Sequence, residues 1–242
     1  MSLRATSSPQ AGARLAGCLY VIVIIAGAYA ELGVRGQLVV ANDAAATAHN
    51  IMTHPLQYRL GFVAELLEIL CSVPLAVIFY DLFKVVNEGL IRMAVFLSLV
   101  ATAIEAVNLL NHLAPLALLS GKSYLDVIPP AELAAQAYLS LNLFELGFAI
   151  TLVFFGFFCL LLGYLIVRSG FLPWIIGVLL AGEGLCYLAN SLAVFLAPQY
   201  AALVFSVLAV SVIGEISLGL WLLVMGIDVA KWQARAAMAR RD

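Results

Sequence analysis

Long runs of apolar residues, each bounded by charged or turn-forming residues, divide the chain into six blocks. Each run reaches the roughly 20 residues that a helix needs to cross a bilayer, and none alternates between apolar and polar residues as a barrel strand does. The pattern therefore predicts an all-α integral membrane bundle of six transmembrane helices. The predicted spans are about residues 15–39, 59–82, 90–118, 133–167, 171–196 and 200–227.

The amino-acid composition excludes the common soluble classes. Hydrophobic residues make up 64% of the 242 residues and charged residues only 11%, whereas about a quarter of the residues in an ordinary soluble domain are charged. This balance excludes a cytosolic enzyme, a nucleic-acid-binding protein and a disordered protein. The predicted organisation is a cytoplasmic N-terminal segment (1–13), a six-helix transmembrane domain (14–228) and a basic cytoplasmic tail (229–242).

The distribution of basic residues predicts the orientation of the bundle. Of the twelve Lys and Arg residues, nine fall on one side of the predicted spans, and Arg35, Arg59 and Lys122 fall on the other. Because cytoplasmic loops are enriched in Lys and Arg, we expect both termini in the cytoplasm. The basic tail would suit anionic membrane lipids, although an ordinary positive-inside signal is its simpler interpretation.

Two segments on the predicted outer side are more than loops. Asn42-Asp43 can cap a short helix over residues 44–52, which is too polar to span and would lie on the outer interface as a lid or rim. Pro129-Pro130 starts another helix with proline at the first position. Running to residue 167, that helix would measure about 55 Å, so it must tilt, bend near Gly147 or project outward.

Half of the fourteen acidic residues are glutamates inside or at the edge of the apolar blocks. An ionisable side chain at this depth is costly, so it usually faces protein or water and marks a functional site. Arg35 and Arg59 are the only bases near the outer boundary, so we expect some of these carboxyl groups to be protonated or hydrated. The alternative is that all are protonated structural residues, hydrogen-bonded between tightly packed helices. The seven are Glu31, Glu65, Glu68, Glu105, Glu145, Glu183 and Glu215.

Helical spacing predicts that these side chains point to one interior, because residues three, four and seven positions apart share a helix face. Polar residues recur at such spacings in every block. Glu105, Glu183 and Glu215 fall near mid-membrane, and we expect their side chains in one shared cavity that opens outward. Its wall would carry Asn108, Asn142, Tyr187 or Asn190, with Glu31 or Glu65 nearer the outer mouth.

Acid–base chemistry is the activity that such a cavity favours. One protonated carboxyl group can act as acid while a second carboxylate or a histidine acts as base, here on a lipophilic small molecule such as an isoprenoid or lipid. The sequence predicts no metal site and no cofactor. The candidate catalytic residues are Glu105, Glu183, Glu215 and His112, and the candidate ligand-binding residues are Asn108, Asn142, Glu145, Tyr187, Asn190, Glu31 and Glu65.

Two other classes of function stay open at this point. The same glutamates can form the proton or cation site of a small-solute transporter, and six helices would then need a homodimer to alternate access. An accessory or immunity subunit is the third class, although it predicts dispersed polar groups rather than inward-pointing ones. The sequence does not decide between enzyme, transporter and accessory subunit.

Several motifs occur together along the chain: Ala30-Glu-Leu-Gly-Val-Arg-Gly36, Tyr58-Arg-Leu-Gly61, Arg168-Ser-Gly-Phe-Leu-Pro173 and Gly214-Glu-Ile-Ser-Leu-Gly-Leu-Trp-Leu-Leu223. As a set they resemble the bacterial membrane family catalogued as domain of unknown function 4386. The resemblance covers about residues 14 to 227 and implies a six-helix bundle in a bacterial cytoplasmic (inner) membrane, but no activity. It also implies an acid at Glu31, Glu105 and Glu215. Glu145 and Glu183 depart from the family pattern. Phe158 also departs from it, because the pattern has histidine at that position.

Overall fold

The computed structural model describes residues 8–200 and 212–239, and every regular element within them is helical. Short 3-10 turns at Ser123–Leu125 and Pro198–Tyr200 lie between longer helices. The longer helices are α1 (Pro9–Ala28), α2 (Ala44–Thr53), α3 (Pro55–Leu118), α4 (Pro130–Ser169), α5 (Trp174–Leu196), α6 (Ile213–Val224) and α7 (Val229–Met238).

The first helix does not stay α-helical to its end. α1 starts at the capping side chain of Ser8, several residues earlier than predicted, because Ser8 and Pro9 together form a helix start. It then passes through a π-helical stretch (Tyr29–Arg35) and one final α-helical turn (Gly36–Leu38). Runs of π-helix are rare and often lie at functional sites, and this one carries Glu31 and Arg35.

The longest element, α3, is a hairpin of two helical arms. The hydroxyl of Tyr58 donates a hydrogen bond to the carbonyl of His112 at 2.7 Å, although 54 residues separate the two; a straight helix would place them about 80 Å apart. Asn87 is the only residue inside α3 with non-helical backbone angles. Its side chain accepts a hydrogen bond from the backbone N–H of Leu90 and so caps the second arm. The chain therefore reverses at Asn87.

Two pairs of glycines hold α4 and α5 in direct backbone contact. A Cβ on Gly156 would lie 2.9 Å from the carbonyl oxygen of Gly184, and one on Gly163 would lie 2.6 Å from that of Gly177. The chain turns between the helices at Gly170, whose φ of 72° is the left-handed conformation that glycine adopts without strain. Small residues that let backbones approach are typical of helix contacts in membranes.

The predicted outer helix is present as α2, and Asp43 caps it by accepting a hydrogen bond from the backbone N–H of Ala46 at 2.8 Å. α2 packs against α4 and more lightly against α3. The hydroxyl of Tyr138 on α4 accepts a hydrogen bond from the backbone N–H of Asn42 at 2.8 Å. α4 has 40 residues, about 60 Å, and the contact with α2 uses its first turns.

The last two helices meet at a bend of 99°. Gly226 stands between them with φ of 72°. The helix after the bend, α7, is held by the indole N–H of Trp232, which donates to the carbonyl of Leu82 at 2.9 Å, and by Arg235, which donates to the carbonyl of Arg168 at 2.6 Å. The side chain of Gln10 in α1 also accepts from the backbone N–H of Ile227 at 2.9 Å. The two ends of the described chain therefore lie together.

Four of the helical segments are long and apolar enough to cross a membrane, and a fifth is counted if α6 and α7 form one broken span. The four are Pro9–Leu38, α3, α4 and α5. The sequence predicts six spans; two of them, 59–82 and 90–118, are the arms of α3, and the last one, 200–227, falls partly on residues 201–211, outside the described residues. Large apolar side chains such as Leu32 and Val107 are exposed along these helices. The protein is a multi-pass helical membrane protein.

Candidate functional site

The pairing of the two arms of α3 shows which residues of the site lie at the same height in the bundle. Glu65 on the first arm lies 2.8 Å from His112 on the second, measured from Oε2 to Nδ1. In an antiparallel hairpin with that pairing, Ser72 lies level with Glu105 and Phe79 lies level with Ser98. These four residues all line one cavity. Glu68 lines it too, so the cavity begins about one helical turn from the Glu65–His112 pair.

Three glutamates line this cavity, which measures about 130 Å³ and is called the glutamate cavity below. Glu68 and Glu105 come from the two arms of α3, and Glu215 comes from the first turn of α6. None of the described residues that line it is Lys, Arg or His. The other polar or aromatic lining residues are Tyr20, Ser72, Phe79, Ser98, Thr102, Phe148, Thr151, Phe155, Phe158 and Tyr187.

Glycines place two of these carboxyl groups. A Cβ on Gly27 of α1 would lie 2.9 Å from Oε2 of Glu68, so the carboxyl group of Glu68 rests against the backbone of α1. A Cβ on Gly214 would lie 2.9 Å from the backbone nitrogen of Leu180, so α6 starts in close contact with α5. This contact brings the adjacent Glu215 into the bundle, where it is only 8% exposed.

Glu183 stands behind the cavity and does not line it. Its Oε2 accepts a hydrogen bond from the backbone N–H of Glu215 at 2.9 Å, and its Oε1 accepts one from the hydroxyl of Tyr187 at 3.0 Å. The first N–H groups of a helix have no acceptor within the helix. Glu183, on the neighbouring helix α5, supplies an acceptor for one such N–H group of α6. The expected set of three glutamates in one cavity is therefore incorrect: Glu105 and Glu215 share it with Glu68.

Tyr20 lines the cavity and carries an unsatisfied hydroxyl group. The side chain is 2% exposed, and its hydroxyl oxygen has no hydrogen-bond partner within residues 8–200 and 212–239. A buried polar atom without a partner is unusual and needs an explanation such as water or a ligand. The ring of Tyr20 packs edge-on against Phe79, with the ring centres 6.0 Å apart.

A second polar group, the arginine cluster, consists of Arg35, Glu31, Glu65 and His112. Nη2 of Arg35 lies 2.6 Å from the carboxylate of Glu31, and Nη1 binds the carboxylate of Glu65. The guanidinium group also lies 4.6 Å from the ring centre of Phe144. Arg35, one of the two bases expected near the outer boundary, therefore neutralises Glu31 and Glu65, because the π-helical stretch of the first helix brings it to both.

His112 belongs to the arginine cluster and not to the glutamate cavity. Its ring is fully buried among Tyr58, Phe62 and Phe144. Nδ1 faces Glu65, and Nε2 has no partner among the residues that the structure describes. The four candidate catalytic residues therefore lie in three places. Glu105 and Glu215 line the cavity, Glu183 lies outside it and binds the backbone of Glu215, and His112 belongs to the separate arginine cluster.

The candidate ligand-binding residues are divided in the same way. Asn108 is buried, but its side chain donates to the carbonyl of Phe144 at 2.8 Å and does not line the cavity. Asn142 and Glu145 are exposed on α4, and Glu145 lies 4.0 Å from Arg35. Asn190 is buried one turn beyond Tyr187, outside the cavity wall. Of the expected wall residues, only Tyr187 lines the glutamate cavity.

Glu68 and Tyr20 line the cavity but are not among the candidate catalytic or ligand-binding residues of the sequence. Glu68 follows Glu65 by three positions, and that spacing places both on one face, so the signal was present. Tyr20 gives a weaker signal: it shares a helix face with Gly27 by spacing, but a single tyrosine in an apolar run is more often a packing residue. Within the described part of the chain, no group of three or more His, Cys, Asp or Glu side chains is arranged to hold a metal ion.

Comparison with known proteins adds a family without an activity. No curated protein and no solved structure matches the chain. The family described as Domain of unknown function (DUF4386) matches residues 15–226. The matched range includes the arginine cluster and all three glutamates of the cavity. The chain therefore belongs to this family of domains of unknown function.

Proposed function

We propose that the protein is a proton-transfer enzyme that acts on a lipophilic small molecule in the glutamate cavity. The observation that carries this proposal is that Glu68, Glu105 and Glu215 share about 130 Å³ with no base among the described lining residues. Neighbouring carboxylates repel each other where water is scarce, so such a set holds protons as well as negative charge. A carboxylic acid beside a carboxylate is the pairing that general acid–base catalysis requires.

The size of the cavity limits what reacts there. A cavity of about 150 Å³ in a protein core holds a benzene molecule, so the glutamate cavity accepts a group of about that size and not a whole isoprenoid or lipid. We therefore place only the reacting head of the molecule among the glutamates. Its apolar remainder would lie along the helices in contact with membrane lipids.

The proposal is tested by comparing lipid extracts of membranes that contain the wild-type protein, Glu105→Gln or Glu215→Gln. Untargeted mass spectrometry should show a product that depends on the wild-type protein and is lost in both variants. Glu132→Gln, which changes an exposed acid in the first turn of α4, is the matched control and should keep the product. Unchanged products in both cavity variants would overturn the proposal.

We also propose six spans with both termini in the cytoplasm of a bacterial cell. The hairpin at Asn87 supports this count, since each arm of α3 is long enough to cross a bilayer. In a cysteine-free background, Lys122→Cys should react with a membrane-impermeant maleimide in intact cells. Lys84→Cys, which lies close to the hairpin turn, should react only after permeabilisation. The reverse pattern would invert the orientation.

A proton-coupled transporter of small solutes is the second candidate. It is favoured by the unbalanced acids of the cavity, because a carboxylate that exchanges a proton for a cationic solute couples the two directly. Alternating access with six helices would call for a homodimer. Proteoliposomes with an internal pH-sensitive dye distinguish the two candidates, since only a transporter links solute addition to proton movement. The inward position of the glutamates disfavours an accessory or immunity subunit.

A further inference from the structure

We propose that the glutamate cavity binds the protonated amine head group of a lipophilic molecule. This inference rests on the proposed function, because the same cavity holds both, and it names the class of substrate. It is carried by three features of the described residues, namely charge, aromatic lining and an unsatisfied hydroxyl group, and the size of the cavity limits the head group.

The charge argument comes from the protein itself. In the arginine cluster, Glu31 and Glu65 are satisfied by a cation, Arg35, which also packs over the ring of Phe144 at 4.6 Å. The glutamate cavity repeats this arrangement of carboxyl groups and aromatic rings, but its described lining residues include no cation. A bound cation is the component that would complete the same set of interactions.

Aromatic rings make the cavity suited to an organic cation. Six of the eighteen described lining residues are aromatic, and Phe155 packs against both Phe158 and Tyr187 with ring centres 5.4 and 5.6 Å apart. Aromatic faces attract ammonium groups, most strongly where water is excluded. Hard inorganic cations instead require six or more oxygen ligands, and half of the lining residues here are apolar.

The hydroxyl group of Tyr20 is the third feature that points to a ligand. It is buried in the cavity wall without a partner among the described residues, so a bound amine would offer it an N–H donor. The carboxyl groups of Glu105 and Glu215 can accept the remaining ammonium protons. Charge-assisted hydrogen bonds of this kind are about twice as strong as neutral ones, which favours a protonated amine over a neutral alcohol.

Benzylamine is the probe that tests this inference, because it carries an ammonium group on a ring of the size that the cavity accepts. Benzyl alcohol is its neutral isostere, and benzoate is its acidic counterpart. Isothermal titration calorimetry on the purified full-length protein in detergent at neutral pH should show saturable binding of benzylamine. We expect its affinity to exceed that of benzyl alcohol by about tenfold, which corresponds to about 1.4 kcal/mol, and benzoate to bind more weakly still.

Variants assign the binding to the cavity. Glu105→Gln should lower the affinity for benzylamine by about tenfold, and Tyr20→Phe should lower it by about fivefold through the loss of one hydrogen bond. Glu105→Asp keeps the carboxyl group and should retain most of the affinity. Glu132→Gln should bind as the wild type does. If Glu105→Gln does not fold, the comparison of Tyr20→Phe with Glu105→Asp still tests the site, because only Tyr20→Phe should lower the affinity clearly.

Equal affinities for benzylamine and benzyl alcohol, or unchanged benzylamine binding in Glu105→Gln and Tyr20→Phe, would overturn the inference. The proposed enzyme activity fails separately, through unchanged lipid products in Glu105→Gln and Glu215→Gln. A protein that selects benzylamine without changing any lipid product would keep the amine site and lose the enzyme activity. A protein that makes the product but does not prefer benzylamine would support the enzyme activity and contradict the amine site.

Discussion

The carboxylate of Glu183 accepts a hydrogen bond from the backbone N–H of Glu215 at 2.9 Å, so two glutamates that the sequence predicts side by side in a cavity stand one behind the other. Glu215 lines the cavity, and Glu183 caps the helix that carries it. The pair therefore joins α5 to the start of α6, and its two members have different tasks.

This difference predicts different effects of the two amide substitutions. Glu183→Gln weakens the hydrogen bonds to Tyr187 and to the backbone of Glu215, because an amide offers one acceptor atom where a carboxylate offers two. We expect it to lower the free energy of unfolding by about 1–3 kcal/mol. Glu215→Gln should affect stability less. Thermal unfolding in detergent measures both, and equal stability of Glu183→Gln and the wild type would contradict the capping role.

The glycine contacts between α4 and α5 predict a steric effect. In Gly163→Ala the new Cβ would lie 2.6 Å from the carbonyl oxygen of Gly177, and such overpacking costs about 1–3 kcal/mol or more. Gly182→Ala is the matched control, because a Cβ there has no neighbour within 4 Å. That control should be neutral or stabilising, since alanine favours helix by about 1 kcal/mol over glycine. A Gly163→Ala protein that melts no earlier than the Gly182→Ala protein would refute the contact.

The arginine cluster predicts a coupled effect on stability. Arg35→Gln leaves the buried carboxylate of Glu65 without its cation, which should destabilise the protein by about 3–5 kcal/mol. Adding Glu65→Gln removes the uncompensated charge and should restore part of that loss. Arg59→Gln changes an exposed arginine of the same region and should shift stability by no more than about 0.5 kcal/mol. A double-mutant cycle that shows no coupling between Arg35 and Glu65 would contradict the ion pair.

The C-terminal helix predicts a pH dependence. The backbone N–H of Lys231 donates to the carboxylate of Asp228 at 3.1 Å and holds the pKa of Asp228 below its ordinary value. A carboxyl group whose pKa is lowered in the folded state stabilises that state above its unfolded pKa of about 3.9. This stabilisation is lost as the pH falls through the folded pKa, so α7 should detach in acid.

Fluorescence of Trp232 measures this detachment in a protein with Trp174→Phe and Trp221→Phe. Its emission should shift to the red below about pH 4, when the indole leaves the carbonyl of Leu82. Asn caps a helix as well as Asp does and does not titrate, so Asp228→Asn should remove the shift. A shift of the same size in Asp228→Asn would assign the effect to another group.

Periodicity and turn chemistry predict most of the fold. Apolar runs locate the helices, Asp43 marks the start of α2, and Pro130 marks the start of α4. Two features escape this reasoning. The π-helical stretch Tyr29–Arg35 has no distinct sequence pattern. The predicted spans 59–82 and 90–118 place the reversal of α3 correctly, but they do not show that Asn87 alone leaves the helical conformation there.

The site is harder to predict than the fold because depth in the membrane does not determine which way a carboxyl group points. Glu183 has the depth and helical phase of a cavity residue, but the unpaired N–H of Glu215 binds it instead. Asn108 has the helical phase of a wall residue, but its amide group packs against the backbone at Gly147 and donates a hydrogen bond to the carbonyl of Phe144. In both cases a backbone group on a neighbouring helix decides the outcome, and one chain's sequence does not reveal that partner.

The paired glycines of α4 and α5 also have a mechanical consequence. Two helices whose backbones touch at two levels resist sliding and rotation past each other, so α4 and α5 move as one rigid body. Phe155 and Tyr187, which line the cavity, move with it. Any widening of the cavity must then come from the rest of its wall, formed by α1, α3 and the start of α6. The π-helical stretch continues α1 beyond the cavity, and a shift of one residue in its hydrogen bonds would turn Arg35 and Glu31 together.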